Sequence, residues 1–503
     1  METILLSLEA LANPAIFVAA MMGVTWGILG GAMPGISPSI TMALLLPFTY
    51  AMEPTSAIVL LASTYVGAEY GGSIPAILIR TPGTNAAAAT VIDGYEMNRQ
   101  GKAGLALGIS LYSGVLGSLF GLTMLVLLSK PLASVALAFT PPAYFALGIL
   151  GLSVIATLSG DNLFKGLVAA LLGLMIATIG TDPVTGGNRF TFGSSDLLSG
   201  IKPVMIMVGL FAMSELLMQA ADRSPGKQVK SSPRITFPDL KLAKRLLKPQ
   251  AIGASIGTFE GVMPGAGGTI ASFMSYNEAR RWSRHKDEFG KGSPEGIAAP
   301  ETANNAVAET ALVPLLSFGI PGSNSTAILL GGFLIHGIVP GPMLFQRSGE
   351  VVYGLYGGLL VAAVSLLFIG MLMLPVCIWL VNRPRPYLSA FIFALIMSGI
   401  FSINNSLFDL SIMMAAGVVG FFMRMLKFPF LPAVLGLVLG YLVESNFRRS
   451  LVLSGDDYSI FLSDKVSLGL LVLAAVFILG SIGKRLVDFL RKPSLSGTKG
   501  DMA

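Results

Sequence analysis

Residues 80–90 read RTPGTNAAAAT and residues 319–330 read GIPGSNSTAILL. Both blocks sit inside hydrophobic runs and interrupt them. Proline removes a backbone donor and clashes with the preceding helical turn, and glycine takes backbone conformations closed to other residues. Non-helical backbone at membrane depth persists only where protein or water covers it. Each block therefore predicts a buried loop followed by a short helix, whose first free amides form an anion site. Asn85 and Asn324 offer donors and acceptors, and Thr84, Ser323, Ser325 and Thr326 add hydroxyls. The small residues 86–90 let a ligand approach the backbone. Pro82, Gly83, Thr84, Asn85, Pro321, Gly322, Ser323, Asn324, Ser325 and Thr326 form the expected solute-binding set. Arg80 joins them as a candidate bidentate partner for a carboxylate. Its alternatives are a salt bridge to Glu69 or a snorkelling contact at the interface.

The blocks belong to a duplication. At an offset of 239 (70–85 over 309–324), Pro75, Pro82, Gly83 and Asn85 face Pro314, Pro321, Gly322 and Asn324. Thr84 then faces Ser323, and Arg80 faces Gly319. At an offset of 230 (27–40 over 257–270), Gly27, Gly31, Met33, Pro34, Gly35 and Ile40 face Gly257, Gly261, Met263, Pro264, Gly265 and Ile270. A charged loop at 278–295, without a counterpart in the first half, accounts for the difference. Prolines and asparagines are uncommon in apolar runs, and here they recur in order at fixed spacing. Duplicated halves with interrupted hydrophobic segments mark secondary transporters. The turns Met33, Pro34 and Gly35 with Ser37, and Met263, Pro264 and Gly265 with Gly267 and Thr269, are read as supports of the same central cavity.

Composition agrees. Of 503 residues, 12% are charged and 53% hydrophobic, with 59 glycines; soluble domains carry about 25% charged residues. Too few charges remain to coat a soluble surface, and the small residues suit helix packing in lipid. A single cysteine, Cys377, excludes an intrachain disulfide. His285 and His336, the two histidines, leave no His-rich metal centre, so neither a metal site nor a cofactor is expected beyond a coupling ion. Without a nucleophile–base constellation or metal ligands, an enzyme is not expected. The net charge of +6 is matched by segment 222–248, with eight basic and two acidic side chains. That basicity speaks of topology rather than nucleic acid.

Long uncharged runs at 10–52, 104–129, 131–160, 351–382 and 466–483, with shorter ones between, predict an all-α polytopic membrane protein. We expect roughly 12 transmembrane helices in two inverted, homologous repeats with re-entrant segments. The divisions are 1–221 (first repeat), 222–249 (basic linker), 250–490 (second repeat and C-terminal spans) and 491–503 (tail). The linker, the 279–291 loop and the tail are placed in the cytoplasm by their basic residues. The N-terminus, with Glu2 and Glu9 and no nearby basic residue, is placed outside, and the first apolar stretch is read as a retained span. With 222–248 and 279–291 both inside, the segment between them must enter and return, turning at Met263-Pro264-Gly265. Ionisable groups at membrane depth are costly and point to function. Glu69, Glu301 and Glu309, with Asn304 and Asn305, are the ion-coupling candidates, by Na⁺ coordination or by carrying H⁺; capping or pairing is the alternative for each. Asp93 and Glu96 are expected at the interface with Arg99 and Lys102.

The stretches GILGGAMPGISPS, YGGSIPAILIRTPGTNAAAATVIDGY, GVMPGAGG, PETANNAVAETALVPLLSFGIPGSNSTAILLGGF and GIVPGPMLF resemble the large membrane subunit of the tripartite tricarboxylate transporters, over about residues 10–490. The resemblance implies a bacterial inner-membrane permease; with the placement read from the basic loops, the N-terminus is expected to be periplasmic and the C-terminus cytoplasmic. It implies a small four-span membrane subunit and a periplasmic solute-binding protein as partners. It further implies uptake of small organic carboxylates driven by a Na⁺ or H⁺ gradient. An anion channel and a binding-protein-independent carboxylate carrier are the alternatives.

Overall fold

The computed structural model describes residues 6–7, 13–158, 162–182, 185–221, 229, 233–265, 267–383 and 385–491. Arg223, Lys227 and Lys230 of the basic linker, and the tail from 492, lie outside the described residues.

The first half runs α1 (Pro14–Ala32), α2 (Pro38–Leu45), α3 (Pro54–Gly71), α4 (Ser73–Ile79), α5 (Ala88–Arg99), α6 (Ala103–Ala136), α7 (Pro141–Leu158), α8 (Leu163–Ala177) and α9 (Pro203–Ala221). The second half repeats this order: α10 (Leu240–Val262), α11 (Gly267–Trp282), α12 (Pro294–Thr310), α13 (Leu312–Phe318), α14 (Asn324–Ile335), α15 (Gly349–Val381), α16 (Arg385–Asn404), α17 (Leu407–Met425) and α18 (Phe430–Ser454). A last helix, α19 (Lys465–Arg491), follows. Between α8 and α9 lies a two-stranded ribbon pairing Gly180 with Arg189 and Thr181 with Asn188. Among the described residues, eight helices are long and apolar enough to cross a membrane: α1, α6, α7, α9, α15, α17, α18 and α19 as far as Gly483. The remaining helices are shorter, interrupted or polar, as an all-α membrane protein with broken segments requires.

Local chemistry explains the breaks. Ser37, Glu53 and Ser293 accept backbone N–H bonds at the starts of α2, α3 and α12, satisfying donors that a helix leaves open. The Met-Pro-Gly turns repeat to the level of dihedral angles. Met33 has φ −83° and ψ 116°, Met263 has φ −84° and ψ 115°, and Gly35 and Gly265 follow at φ +91° and +92°. The segment 240–282 folds back on itself at 263–265, since Lys248 near the start of α10 donates to the Trp282 carbonyl at the end of α11 at 2.7 Å.

The contacts also give helix direction. Gly23, Gly27 and Gly31 of α1 lie against Leu60, Thr64 and Ala68, so α1 and α3 run parallel. Gly354, Gly358 and Gly370 meet Thr55, Val59 and Tyr70, so α15 runs with them. In the other half, Gly253, Gly257 and Gly261 of α10 meet Ala299, Ala303 and Thr310 of α12. Ser110, Gly117 and Gly121 of α6 meet Glu301, Thr302 and Ala306 of the same helix. Yet α6 and α15 oppose each other, because Leu111 touches Gly370 while Ser129 bonds Tyr356. The set α1, α3, α15 therefore runs against its equivalents α10, α12, α6, which is an inverted repeat. The halves interleave: α6 packs on α12, α15 on α3, α8 on α18 and α9 on α17. Close approach is possible because the contacts use small residues. A Cβ at Gly27 would lie 2.3 Å from the Thr64 carbonyl oxygen, and one at Gly257 equally 2.3 Å from that of Ala303.

Every residue of α3 from Thr55 to Gly71, and of α12 from Glu295 to Thr310, is buried. These two equivalent helices form the centre, and they carry Glu69, Glu301, Asn304, Asn305 and Glu309.

Candidate functional site

Each central helix leads through a short helix into a broken loop. α4 ends at Arg80 in the left-handed region (φ 56°, ψ 36°), and α13 ends at Gly319 in the same region (φ 75°, ψ 14°). Gly83 then tucks against the preceding elements. Its N–H donates to the Gly72 carbonyl at 3.0 Å, and a Cβ there would fall 2.0 Å from the Gly31 carbonyl oxygen. Gly322 repeats the placement more loosely, with a Cβ position 3.1 Å from the carbonyl oxygens of both Gly261 and Ala311. Its own carbonyl accepts the Gly265 N–H at 2.9 Å, joining loop to turn. Ser323 caps α14 with a reciprocal box: its hydroxyl accepts the Thr326 N–H at 3.2 Å, and the Thr326 hydroxyl accepts the Ser323 N–H at 2.8 Å.

The two loops open onto one cavity of about 660 Å³. Pro82, Gly83, Thr84, Asn85 and Ala86 line it from one half, and Ser323, Asn324 and Ser325 from the other. The turns contribute Gly35 and Ser37, and Gly265, Gly267 and Thr269. Tyr65 and Glu69 of α3 reach it between the loops. The opposite wall is Leu158, Phe211, Glu215, Arg424 and the segment 428–431. Hydroxyls and side-chain amides thus face a wall that is apolar apart from Glu215 and Arg424, an arrangement suited to a small polar anion; the amides expected to be free at the start of α5 are taken instead, Ala87 by the Thr84 hydroxyl and Ala88 and Ala89 by the Asn85 and Ala86 carbonyls.

Several expected residues stand behind the lining. Pro321, Gly322, Met33, Pro34, Met263 and Pro264 shape the turns, and Thr326 holds the cap; none of them is in the lining. Arg80 points elsewhere. Its guanidinium lies 5.8 Å from the centre of the Tyr95 ring, its residue is exposed, and it does not line the cavity. The charge–ring contact and exposure favour the snorkelling alternative.

The polar groups of α12 form a buried column. Asn304 Nδ2 donates to Glu69 Oε2 at 2.9 Å, linking the two central helices. The other amide atom, Asn304 Oδ1, is buried without a hydrogen-bond partner and abuts Gly268. Glu301 accepts from the hydroxyls of Thr90 and Ser110, the latter at 3.0 Å, and Ser110 continues to Ser73 at 2.7 Å. Asn305 Nδ2 bonds back to the Glu301 carbonyl at 3.0 Å. Glu309 is fully buried against Gly121 of α6, with neither carboxyl oxygen hydrogen-bonded. Of these groups only Glu69 reaches the cavity.

Three lining residues, Tyr65, Glu215 and Arg424, escaped the sequence reading, and the partners of Asp93 did too. Tyr65, whose hydroxyl stands 3.4 Å from that of Ser323, occupies the position that the 239 offset matches to Asn304. Glu215 and Arg424 form an ion pair at 2.7 Å on the far wall. Glu215 is the single charged residue between Pro203 and Ala221, the same signal that marks Glu69. Asp93 is fully buried. Its Oδ1 accepts the backbone N–H groups of Gly290, Gly292 and Ser293, each at 2.8 Å, and its Oδ2 accepts the Tyr276 hydroxyl at 2.9 Å. It clasps the second half's extra loop to α5, while Glu96 pairs with Arg99 as expected, at 3.1 Å.

The chain is similar to known sequences over nearly its full length. An uncharacterized 52.8 kDa protein from the TAR-I ttuC' 3' region of Agrobacterium vitis is 36% identical over 469 residues, covering 93% of each chain. An uncharacterized protein from the TAR-II ttuC' 3' region of the same organism is 35% identical over 232 residues, covering 44% of this chain and 92% of its own. The family model for the tripartite tricarboxylate transporter TctA family matches residues 17–435. The match includes both broken loops and the helices that carry them, and the chain belongs to that transporter family.

Proposed function

We propose that the chain is the permease of a binding-protein-dependent secondary transporter that imports small organic carboxylates, tricarboxylate or dicarboxylate, on a cation gradient. The observation that carries this reading is the convergence of the two broken loops of an inverted repeat on one cavity of about 660 Å³. Antiparallel equivalent halves around a central site are the basis of alternating access. The hydroxyls of Thr84, Ser323 and Ser325, the amides of Asn85 and Asn324, and the opening turn of α14 take the carboxylates. The coupling ion, Na⁺ or H⁺, binds at Glu69 beside Asn304. A cation there raises anion affinity, and the anion raises cation affinity by the same factor.

The partners are a small four-span membrane subunit and a periplasmic solute-binding protein that delivers the solute. The site of action is the bacterial inner membrane, with the N-terminus periplasmic and the C-terminus cytoplasmic. Single cysteines near 228 and 286 should then resist membrane-impermeant thiol reagents added from the periplasmic side; labelling of both would reverse the orientation.

The test of function is uptake of labelled citrate and a dicarboxylate panel into liposomes holding both membrane subunits, with the binding protein outside and Na⁺ or H⁺ gradients imposed. Gradient- and binding-protein-dependent uptake that Asn85→Ala and Asn324→Ala abolish is expected. Uptake that ignores the gradient and survives both substitutions would favour a channel.

A further inference from the structure

The cavity presents a problem for a carboxylate. Among its described lining residues Arg424 is the only basic side chain, and that charge is already taken. Arg424 lies in the last turn of α17, and its Nη1 meets Glu215 Oε2 of α9 at 2.7 Å. Its Nε donates to the Ser214 hydroxyl at 3.0 Å, its Nη2 reaches the Phe211 carbonyl at 3.4 Å, and the guanidinium sits 5.0 Å from the Phe430 ring centre. A guanidinium has about five N–H donors in a flat fork, so three engaged bonds leave donor capacity on a residue that lines the cavity. Glu215 has an alternative partner at hand, since Gln219 Nε2 donates to its Oε1 at 3.1 Å. The backbone just before the pair departs from regular helix: Gly209–Met213 forms a π turn, which sets the Phe211 carbonyl and Ser214 against Arg424. Wide turns of this kind often accompany function.

The inverted repeat supplies the acid but no second cation here: Glu444 of α18 answers to Glu215, and it pairs with Arg189 at 2.6 Å and Arg448 at 2.7 Å, none of the three lining this cavity. α8, the counterpart of α17, ends at Ala177 with Thr178 as its cap, and it carries no cation to the cavity. At the cavity wall the acid–arginine pair therefore stands on one side only. A pure staple between α9 and α17 has no need to line the cavity, because those helices are already packed through Gly209, Gly417 and Gly420.

We propose that Arg424 is the cavity's carboxylate-binding residue and that Glu215 is a built-in substitute carboxylate, displaced when a solute carboxylate takes its place. One carboxylate exchanges for another on the same fork, and Glu215 retains the Gln219 amide. This rests on the reading of the cavity as a carboxylate site. Glu215 thus holds the empty wall neutral and competes with the solute, so that only an anion able to form the bidentate contact displaces it.

The experiment is equilibrium binding of citrate and of succinate to the purified full chain in detergent, with succinamide as the uncharged control. Wild type, Glu215→Gln, Arg424→Lys, Arg424→Gln and the double Glu215→Gln/Arg424→Gln variant are compared, and melting temperature is recorded for each. The proposal expects Glu215→Gln to bind succinate about tenfold more tightly. It expects Arg424→Gln to lose at least as much affinity, Arg424→Lys to recover part of it, and the double variant to bind as poorly as Arg424→Gln. A structural staple predicts the reverse: both single variants weaken binding together with melting temperature, and the double variant restores both. That result, or unchanged binding in Arg424→Gln, overturns the proposal while leaving the carboxylate reading intact. A wild type that binds neither acid overturns both.

Discussion

The loop around Gly83 and the loop around Gly322 occupy equivalent places and are held differently. The second follows a glycine in the left-handed region and enters α14 through a reciprocal Ser323–Thr326 box. The first follows an arginine in that region, and α5 begins only at Ala88 with no side-chain cap on Ala87. In exchange, the first loop is wedged more tightly behind, with Gly83 pressed on the backbone of Gly31 and Gly72. The cross-links differ too. Tyr65 and Asn304, matched positions on α3 and α12, both reach across the midline, but Tyr65 meets the hydroxyl of the second loop and Asn304 meets the carboxylate of Glu69. Shared descent fixed where the loops lie, and divergent side chains gave one loop a rigid helix start and the other a place beside an acidic group.

That difference can be broken first at the glycines. In Gly83→Ala the new methyl meets main-chain atoms that cannot rotate away, so we expect loss of folded, monodisperse protein in detergent. Gly322→Ala, with an ångström more room, should fold and cost about 1–3 kcal/mol. Equal losses of folded protein on size-exclusion chromatography would mean the loops are wedged alike. Next come the cross-links. Asn304→Ala removes a donor from a buried carboxylate, worth about 1.5–3 kcal/mol. The concentration of Na⁺ or H⁺ giving half-maximal uptake should shift accordingly, by roughly tenfold or more. Tyr65→Phe loses a 3.4 Å contact and should change solute affinity by less than about 1 kcal/mol. An ion dependence altered by Tyr65→Phe and untouched by Asn304→Ala would invert the assignment.

Much of this was readable beforehand because the signals are local. Pro, Gly and Asn stand out in apolar runs, and their spacing revealed both loops, both turns and the duplication. The left-handed turn shared by Arg80 and Gly319 was not legible, because an arginine there reads as a charge rather than as a backbone position. The Glu215–Arg424 pair joins residues more than 200 positions apart, and the clasp of Asp93 on 290–293 does nearly the same. Such contacts depend on how the halves interleave, which no periodicity within one helix reports. Glu309 was legible as a buried acid, but its lack of any hydrogen-bond partner required the packing of α6 against α12.

Smaller effects sharpen the comparison. Ser323→Ala removes a helix cap and should lower stability by about 1 kcal/mol, visible as a lower melting temperature. Thr84→Val, where the Ala87 N–H bond is longer at 3.3 Å, should cost less. Arg80→Gly keeps the left-handed conformation and relieves its steric cost of about 1–2 kcal/mol for a side chain, so it should raise melting temperature slightly and leave uptake unchanged. Lost uptake in Arg80→Gly, with folding intact, would return Arg80 to the solute site.

The central claim is that both loops of the inverted repeat face one solute. It is tested most directly by alkylation protection in a Cys377→Ala background, which removes the chain's single cysteine. Thr84→Cys and Ser325→Cys are introduced one at a time, and labelling rates are followed against citrate or succinate concentration. The account predicts that the same acid protects both positions with matching half-maximal concentrations. Protection of one position alone, or of neither while the acid still binds, would contradict it.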